Sequence, residues 1–207
     1  MTKKGINIMD KKKLILKLNE IGAIKFGEFK LVTGIISPIY LTLRTIISYP
    51  DLMKAISEEI YNIAKDLKFD LIVGVPYTAL PLATVISAMH DVPMIIRRKE
   101  MKDHGIQVPL EGVYKKGQTV LVIEDLITSG TSVFGTTEPI EKEGLKVTDV
   151  IVVLNREQGG KKLIEQRGYK LHSIFTMSDM VNTLLEEGKI DSATKNKVDE
   201  FIKANQF

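Results

Sequence analysis

The strongest constraint on the fold is a series of apolar segments that alternate with helical ones. Strands that are apolar throughout are typical of sheets covered on both faces, and helices of about 10 to 15 residues between them favour parallel pairing. The pattern predicts an α/β fold with a mostly parallel central sheet flanked by helices. The predicted strands are DLIVGV (70–75), VPMIIRR (92–98), TVLVIED (119–125), TDVIVVLN (148–155) and LHSIFTM (171–177).

The first 45 or so residues do not follow this alternation. Leu14, Leu18 and Ile21 have helical spacing, and the segments FKLVTG (29–34) and PIYLTL (38–43) favour a short strand pair. We therefore expect a single domain over residues 1–207 that carries a small N-terminal hood, formed mainly by residues 1–45.

Composition excludes several classes of function. The net charge is only +3 and the lysines are spread along the chain, which disfavours a nucleic-acid partner. The absence of cysteine excludes disulfides, thiolate metal sites and a cysteine nucleophile. No apolar run approaches the length of a membrane span, so we expect no membrane partner and a cytoplasmic protein.

Two adjacent acids, Glu124 and Asp125, precede the hydroxyl-rich turn Thr128–Ser132 at the end of the third predicted strand. Ligands of parallel α/β sheets bind beyond the carboxyl ends of the strands. Gly130 permits close approach of the backbone, and the N–H groups of residues 129–132 are available to an anion at a helix start. The acids suit sugar hydroxyls or a developing cation, so the stretch favours a phosphorylated polyol. The alternative is an ordinary helix N-cap, which would leave the paired acids unexplained.

A loop of about twenty residues, 98–117, separates two predicted strands and is rich in basic groups. Its length and clustered donors indicate either a lid that closes over an anion or a solvated surface loop. Two other strand ends also leave alternatives open. The GVPYTALP turn (74–81) fits an anion site or a plain connection, and Arg156 fits a carboxylate partner or a surface ion pair with Glu157.

These motifs together resemble the type I phosphoribosyltransferases, whose signature is an apolar strand, two acids and TSGT. Further segments are similar to orotate phosphoribosyltransferase, in the form found in eukaryotic UMP synthases. They are FGEFKLVTGIISPIY, GVPYTALPLA, IIRRKEMKDHG, EGLKVTDVIVVLNREQGG and LHSIFT, of which RKEMKDHG is the most specific. The resemblance implies the type I phosphoribosyltransferase fold. It also implies transfer of phosphoribose from phosphoribosyl pyrophosphate (PRPP) to N1 of orotate, in pyrimidine biosynthesis.

The resemblance also implies a set of PRPP contacts. They come from Tyr77 and Thr78; from Arg98, Lys99, Lys102 and His104; and from Glu124, Asp125, Leu126, Ile127, Thr128, Ser129, Gly130, Thr131 and Ser132. The implied catalytic residues are Lys102, which stabilises the departing pyrophosphate, together with Glu124 and Asp125.

The resemblance places the orotate carboxylate on Arg156 and the edge of the base on Thr128. Tyr40 and Leu41 would cover the base from the hood. Mg2+ is the implied cofactor, held by substrate oxygens and water rather than directly by the protein. Because the family's lid reaches a neighbouring site, a homodimer is expected.

The chain departs from the family pattern at two positions. Val32 stands where relatives commonly have a ligand-contacting lysine, and Asn155 stands where they have aspartate. The decarboxylase half of UMP synthase is missing from the 207 residues, which leaves a separate orotidylate decarboxylase as a candidate partner. Two rival functions remain: a purine-type phosphoribosyltransferase, and a non-catalytic regulator that senses PRPP.

Overall fold

The structure is a computed structural model that describes residues 9–31, 34–98 and 109–207. The strands are β1 (Ile24–Lys30), β2 (Ile36–Leu41), β3 (Leu71–Gly74), β4 (Met94–Arg97), β5 (Leu110–Glu111), β6 (Thr119–Ile127), β7 (Lys146–Asn155) and β8 (Lys170–Thr176). The helices are α1 (Lys11–Glu20), a 3-10 helix (Leu43–Ser48), α2 (Pro50–Ala64), α3 (Ala79–His90), α4 (Thr131–Lys142), α5 (Gly160–Gln166), α6 (Met177–Glu186) and α7 (Ser192–Ala204).

Six strands form the central sheet, in the order β5-β4-β3-β6-β7-β8. All neighbouring pairs are parallel except β4 and β5, which pair antiparallel at one edge. The predicted α/β class and mostly parallel sheet are therefore confirmed. The short β5 was not predicted, because two residues carry too little pattern to be recognised.

The central strands are apolar throughout because they are covered on both faces. Within β3, Ile72 packs into one hydrophobic cluster, while Leu71 and Val73 pack into another. The first cluster includes buried residues of α1, α2, α3, α6 and α7, and the second includes those of α4 and α5. Successive side chains of a strand point to opposite faces, so continuous apolar sequence serves both cores.

The predicted hood divides into two parts. Helix α1 belongs to the main core, where Leu14, Ile15 and Leu18 are almost fully buried. Only the β1–β2 hairpin forms a separate sheet. Its first strand starts at Ile24, five residues before the predicted FKLVTG strand, and a register irregularity between Phe26 and Phe29 interrupts the alternation. That irregularity concealed the strand from the sequence pattern.

The order of connections places a binding crevice at one edge of the sheet. After β3 the chain moves to β4 on one side, whereas β6, on the other side of β3, leads outward to β7 and β8. The order thus reverses between β3 and β6, and such a reversal opens a crevice at the carboxyl ends of the strands. None of the helices in the described part of the chain is long and apolar enough to cross a membrane.

Gly74, at the end of β3, brings the following turn against the start of α3. A Cβ at this position would lie 2.8 Å from the Leu80 Cα and would also meet the backbone carbonyl of Ala79. Backbone atoms cannot yield as a flexible side chain can. The turn between β3 and α3 is therefore tight only because residue 74 lacks a side chain.

We predict that Gly74→Ala lowers the free energy of unfolding by about 1–3 kcal/mol through overpacking. Gly135→Ala is the control, because a Cβ at this helical position meets no atom within 4 Å. It should raise stability by about 0.5–1 kcal/mol through helix propensity. Urea denaturation measures both variants, and equal stability of the two would contradict the account of this turn.

Candidate active site

The paired acids lie within strand β6 rather than beyond it. β6 continues to Ile127, and Glu124 is in register with Val152 of β7. The prediction that the strand ends at Asp125 was therefore two residues short. Polar residues are unusual in a central strand, and this made the strand appear to stop at the acids.

Burial favours the neutral form of the Glu124 carboxyl. Its side chain is only 5% exposed. Burial, followed by the nearby Asp125 carboxyl, raises the pKa of Glu124 to about 10. Its Oε1 accepts a hydrogen bond from the Asp125 backbone N–H at 2.9 Å. The pair therefore does not carry two negative charges, and the neutral Glu124 can both donate and accept hydrogen bonds.

The turn after β6 forms a small cavity of about 130 Å³. Gly130 has a positive φ of 86° and stands immediately before α4. No side chain caps this helix start within the described residues, so the N-cap alternative finds no support. The cavity is lined by Glu124, Leu126, Ile127, Thr128, Ser129, Gly130, Thr131, Ser132 and Val133. Backbone N–H groups and hydroxyls at a helix start suit a phosphate group.

A larger cavity of about 790 Å³ joins the acids to the turn after β3. Tyr77 and Thr78 line it together with Glu124 and Asp125, as the crevice predicts. Arg44, on the 3-10 helix, also lines it and was not identified from the sequence. The spacing around Arg44 carries no motif, so only the fold reveals this cation near the acids.

The loop predicted over 98–117 is only partly described. Lys99, Lys102 and His104 lie outside the described residues, and their predicted roles stay predictions. Arg98 is described, and its Nη1 contacts Glu111 Oε1 of β5 at 2.8 Å. Its backbone N–H donates to the Pro109 carbonyl at 2.9 Å, so β4 and β5 join the two ends of the interval 99–108.

Arg156 and Thr128 line a third cavity, of about 420 Å³. Glu157 uses its carboxylate to accept from the Ser178 backbone N–H, and Arg156 forms no ion pair with any described residue. The alternative of a surface pair with Glu157 is therefore wrong. The Arg156 Nε is buried without a hydrogen-bond partner in the described structure, and burial lowers the pKa of this guanidinium. A bound carboxylate would satisfy both the donor and the charge.

The predicted covering residues of the base are not among those lining this cavity. Tyr40 is 44% exposed on β2 and its ring lies 5.5 Å from that of Phe29. Leu31 and Ile35 line the cavity from the hairpin side instead of Tyr40 and Leu41. The orotate contacts of Tyr40 and Leu41 remain predictions.

The two departures from the family pattern differ in what the structure shows. Asn155 is 8% exposed, and its Oδ1 accepts from the Glu157 backbone N–H at 2.9 Å. It therefore shapes the turn that carries Arg156. Val32 lies outside the described residues.

Comparison with known proteins identifies the family. The phosphoribosyl transferase domain family matches residues 45–174, which is more than half of the chain. The bovine uridine 5'-monophosphate synthase is 45% identical over 94% of this chain and 41% of its own length. The Chlamydia felis orotate phosphoribosyltransferase is 39% identical over 91% of this chain and 93% of its own length.

A solved structure agrees with these relatives. The Leishmania donovani UMP synthase superposes with a TM-score of 0.85 at 32% identity, over 93% of this chain and 42% of that one. The chain thus spans less than half the length of the UMP synthases it matches, but nearly all of the C. felis enzyme. It belongs to the phosphoribosyltransferase family, and within that family to the orotate phosphoribosyltransferases.

Proposed function

We propose that this chain transfers the 5-phosphoribosyl group of PRPP to N1 of orotate, giving orotidine 5'-monophosphate and pyrophosphate. The observation that carries the proposal is the adjacency of three unlike sites along one sheet edge. These are the phosphate-sized turn 128–132, the buried Glu124–Asp125 pair, and the cavity that holds Arg156. They match the phosphate, the ribose and the carboxylated base.

In the proposed reaction a bond forms between N1 and the anomeric carbon as the bond from that carbon to pyrophosphate breaks. N1 loses its proton, and pyrophosphate leaves with the electron pair. The ribose acquires oxocarbenium character, so charge stabilisation matters more than a covalent nucleophile. Asp125 and Glu124 hold the ribose hydroxyls beside the developing cation, and the 128–132 turn anchors the 5-phosphate.

The leaving pyrophosphate requires positive charge. We assign this role to Lys102, supported by Arg98, Lys99 and His104, on the resemblance alone. Arg44 adds a cation in the same cavity as Thr78 and Glu124. Arg156 binds the orotate carboxylate, because a guanidinium pairs well with a carboxylate in a partly buried site.

Mg2+ fits this arrangement as a cofactor. The ion would be held mainly by PRPP oxygens and water, and the Glu124 and Asp125 oxygens line the cavity in which that hydrated ion would lie. When bound, the ion supplies charge neutralisation of the pyrophosphate. We further propose a homodimer as the working unit, and a separate orotidylate decarboxylase as the consumer of the product.

The proposed activity is tested by the loss of orotate absorbance on addition of PRPP and Mg2+, with pyrophosphate release as a second readout. Both should require orotate, and hypoxanthine and adenine should not replace it. Turnover of a purine base in place of orotate would support the purine-type alternative. PRPP binding without any turnover would support the regulator.

We predict that Arg44→Gln raises the KM for PRPP about tenfold. A hydrogen bond to a charged group is worth about 1.5–3 kcal/mol, and because the Arg44 side chain is exposed we expect a loss at the lower end of this range. The KM for orotate should stay unchanged. Lys54→Gln is the control, since it removes one positive charge from an exposed position on the neighbouring helix α2. An unchanged KM for PRPP in Arg44→Gln would remove this residue from the site.

We predict that Glu124→Gln alters the dependence of stability on pH. The pKa of Glu124 is raised from about 4.5 in the unfolded chain to about 10 in the folded one. The protonated carboxyl therefore contributes fully to stability below pH 4.5, and this contribution is lost as pH rises toward 10. Glutamine stays neutral, so the difference in Tm between variant and wild type should grow in favour of the variant from pH 5 to pH 9. We expect the growth to reach about 2–4 °C or more.

Thermal unfolding at several pH values measures this difference. Glu186→Gln, at an exposed position of α6, is the matched control. Parallel Tm curves for wild type and Glu124→Gln across this range would show that the buried carboxyl is not held neutral.

A further inference from the structure

The residues that follow α7 lie against the turn that carries Arg156. The Phe207 backbone N–H donates to the Gln158 carbonyl, and the Gln158 side-chain Nε2 donates to the Asn205 carbonyl, both at 3.0 Å. The Gln206 Nε2 donates to the Glu157 carbonyl at 3.0 Å. Three hydrogen bonds thus fix residues 205–207 to residues 157–158. Together with Ala204, the last residue of α7, they form the closing segment.

The backbone of the turn is built for this contact. Gly159 has a positive φ of 96°, and a Cβ at this position would lie 2.6 Å from the Phe207 carbonyl oxygen. Any side chain at residue 159 would displace the closing segment as well as strain the turn. The close approach therefore requires glycine at position 159.

The closing segment forms one wall of the 420 Å³ cavity. Its lining includes all four residues of the closing segment, Ala204, Asn205, Gln206 and Phe207. Thr128 and Arg156, which are distant from them in the sequence, line the same cavity. Two polar atoms of lining residues are buried and lack hydrogen-bond partners among the described residues, namely Arg156 Nε and Gln158 Oε1. Gln158 is only 3% exposed. Unsatisfied buried groups at a cavity wall indicate a polar ligand.

The chemistry of the contact fixes the orientation of the Gln158 amide. Its NH2 group must face the Asn205 carbonyl, because two oxygens cannot form a hydrogen bond there. The Oε1 is consequently left as a buried acceptor without a partner among the described residues, in a residue that lines the same cavity as Arg156. The cavity therefore offers a cation and an acceptor to a ligand that carries both a carboxylate and N–H groups.

We propose that Gln158 is a positioning residue of the base site, and that it acts by holding the closing segment as the wall of the cavity beside Arg156. This inference rests on the proposed function and adds to it. It assigns recognition of the carboxylated pyrimidine to residues near position 205, about fifty positions along the chain from Arg156. Of the phosphate turn only Thr128 lines this cavity, and Glu124 and Asp125 do not line it.

The test is a steady-state comparison of Gln158→Met with wild type. Methionine has a similar length but removes both the amide donor and the acceptor. The KM for orotate should rise about tenfold, as expected for one lost hydrogen bond that positions a wall, while the KM for PRPP stays within about twofold. Gln166→Met, at an exposed position of α5, is the matched control and should leave both values unchanged.

A second variant covers the case in which Gln158→Met fails to fold. Gln206→Ala alters an exposed side chain and removes its bonds to the Glu157 carbonyl and to the Ile202 carbonyl within α7. It should raise the KM for orotate about two- to threefold with the KM for PRPP unchanged.

Hydrogen exchange of the wild-type chain gives a readout other than turnover. Orotate should slow exchange at the Phe207 amide, and PRPP alone should not. If the wild type consumes orotate but both variants keep its KM and Phe207 gains no protection, this inference fails and the proposed function stands. If the wild type does not consume orotate, the proposed function fails and the inference fails with it.

Discussion

The buried Glu124 carboxyl is the constraint on which the rest of the site depends. A polar residue in the middle of a parallel sheet is costly unless it is neutral or paired, and here burial together with Asp125 keeps it neutral. It remains in strand because β7 continues beside it and its Oε1 accepts from the Asp125 backbone N–H. The sheet thus holds two carboxyls rigidly at the crevice where its order reverses, ready to meet hydroxyls or a cationic ring.

Close backbone contacts arrange the other groups around these acids. Gly74 brings the turn that carries Tyr77 and Thr78 against α3. A Cβ at Gly160 would lie 2.8 Å from the Ile127 Cγ1 and would meet the Thr128 carbonyl, so the turn after β7 packs directly on the phosphate turn. Absent side chains therefore tighten the turn after β3 and hold the turns after β6 and β7 in contact with each other. Preorganisation of this kind suits a reaction in which opposite charges develop together.

Sequence predicted the features that arise from local pattern. Continuous apolar segments predicted the sheet and its two covered faces, and the acids followed by TSGT indicated a phosphate site at the turn after β6. The boundary of β6 was missed because the acids Glu124 and Asp125 interrupt its apolar sequence before Leu126 and Ile127. The start of β1 was missed because Gly27 and the register irregularity interrupt its alternation. Arg44 and the closing segment were missed for a different reason. They reach the site only through tertiary packing, which no spacing in the chain encodes.

The central claim is that residues 124–132 bind a ribose through carboxyls and its phosphate through backbone amides. A crystal structure with ribose 5-phosphate tests this claim most directly. The account predicts phosphate oxygens within hydrogen-bond distance of the N–H groups of residues 129–132, and ribose hydroxyls at Glu124 and Asp125. A ligand bound elsewhere, with this turn empty, would contradict the account.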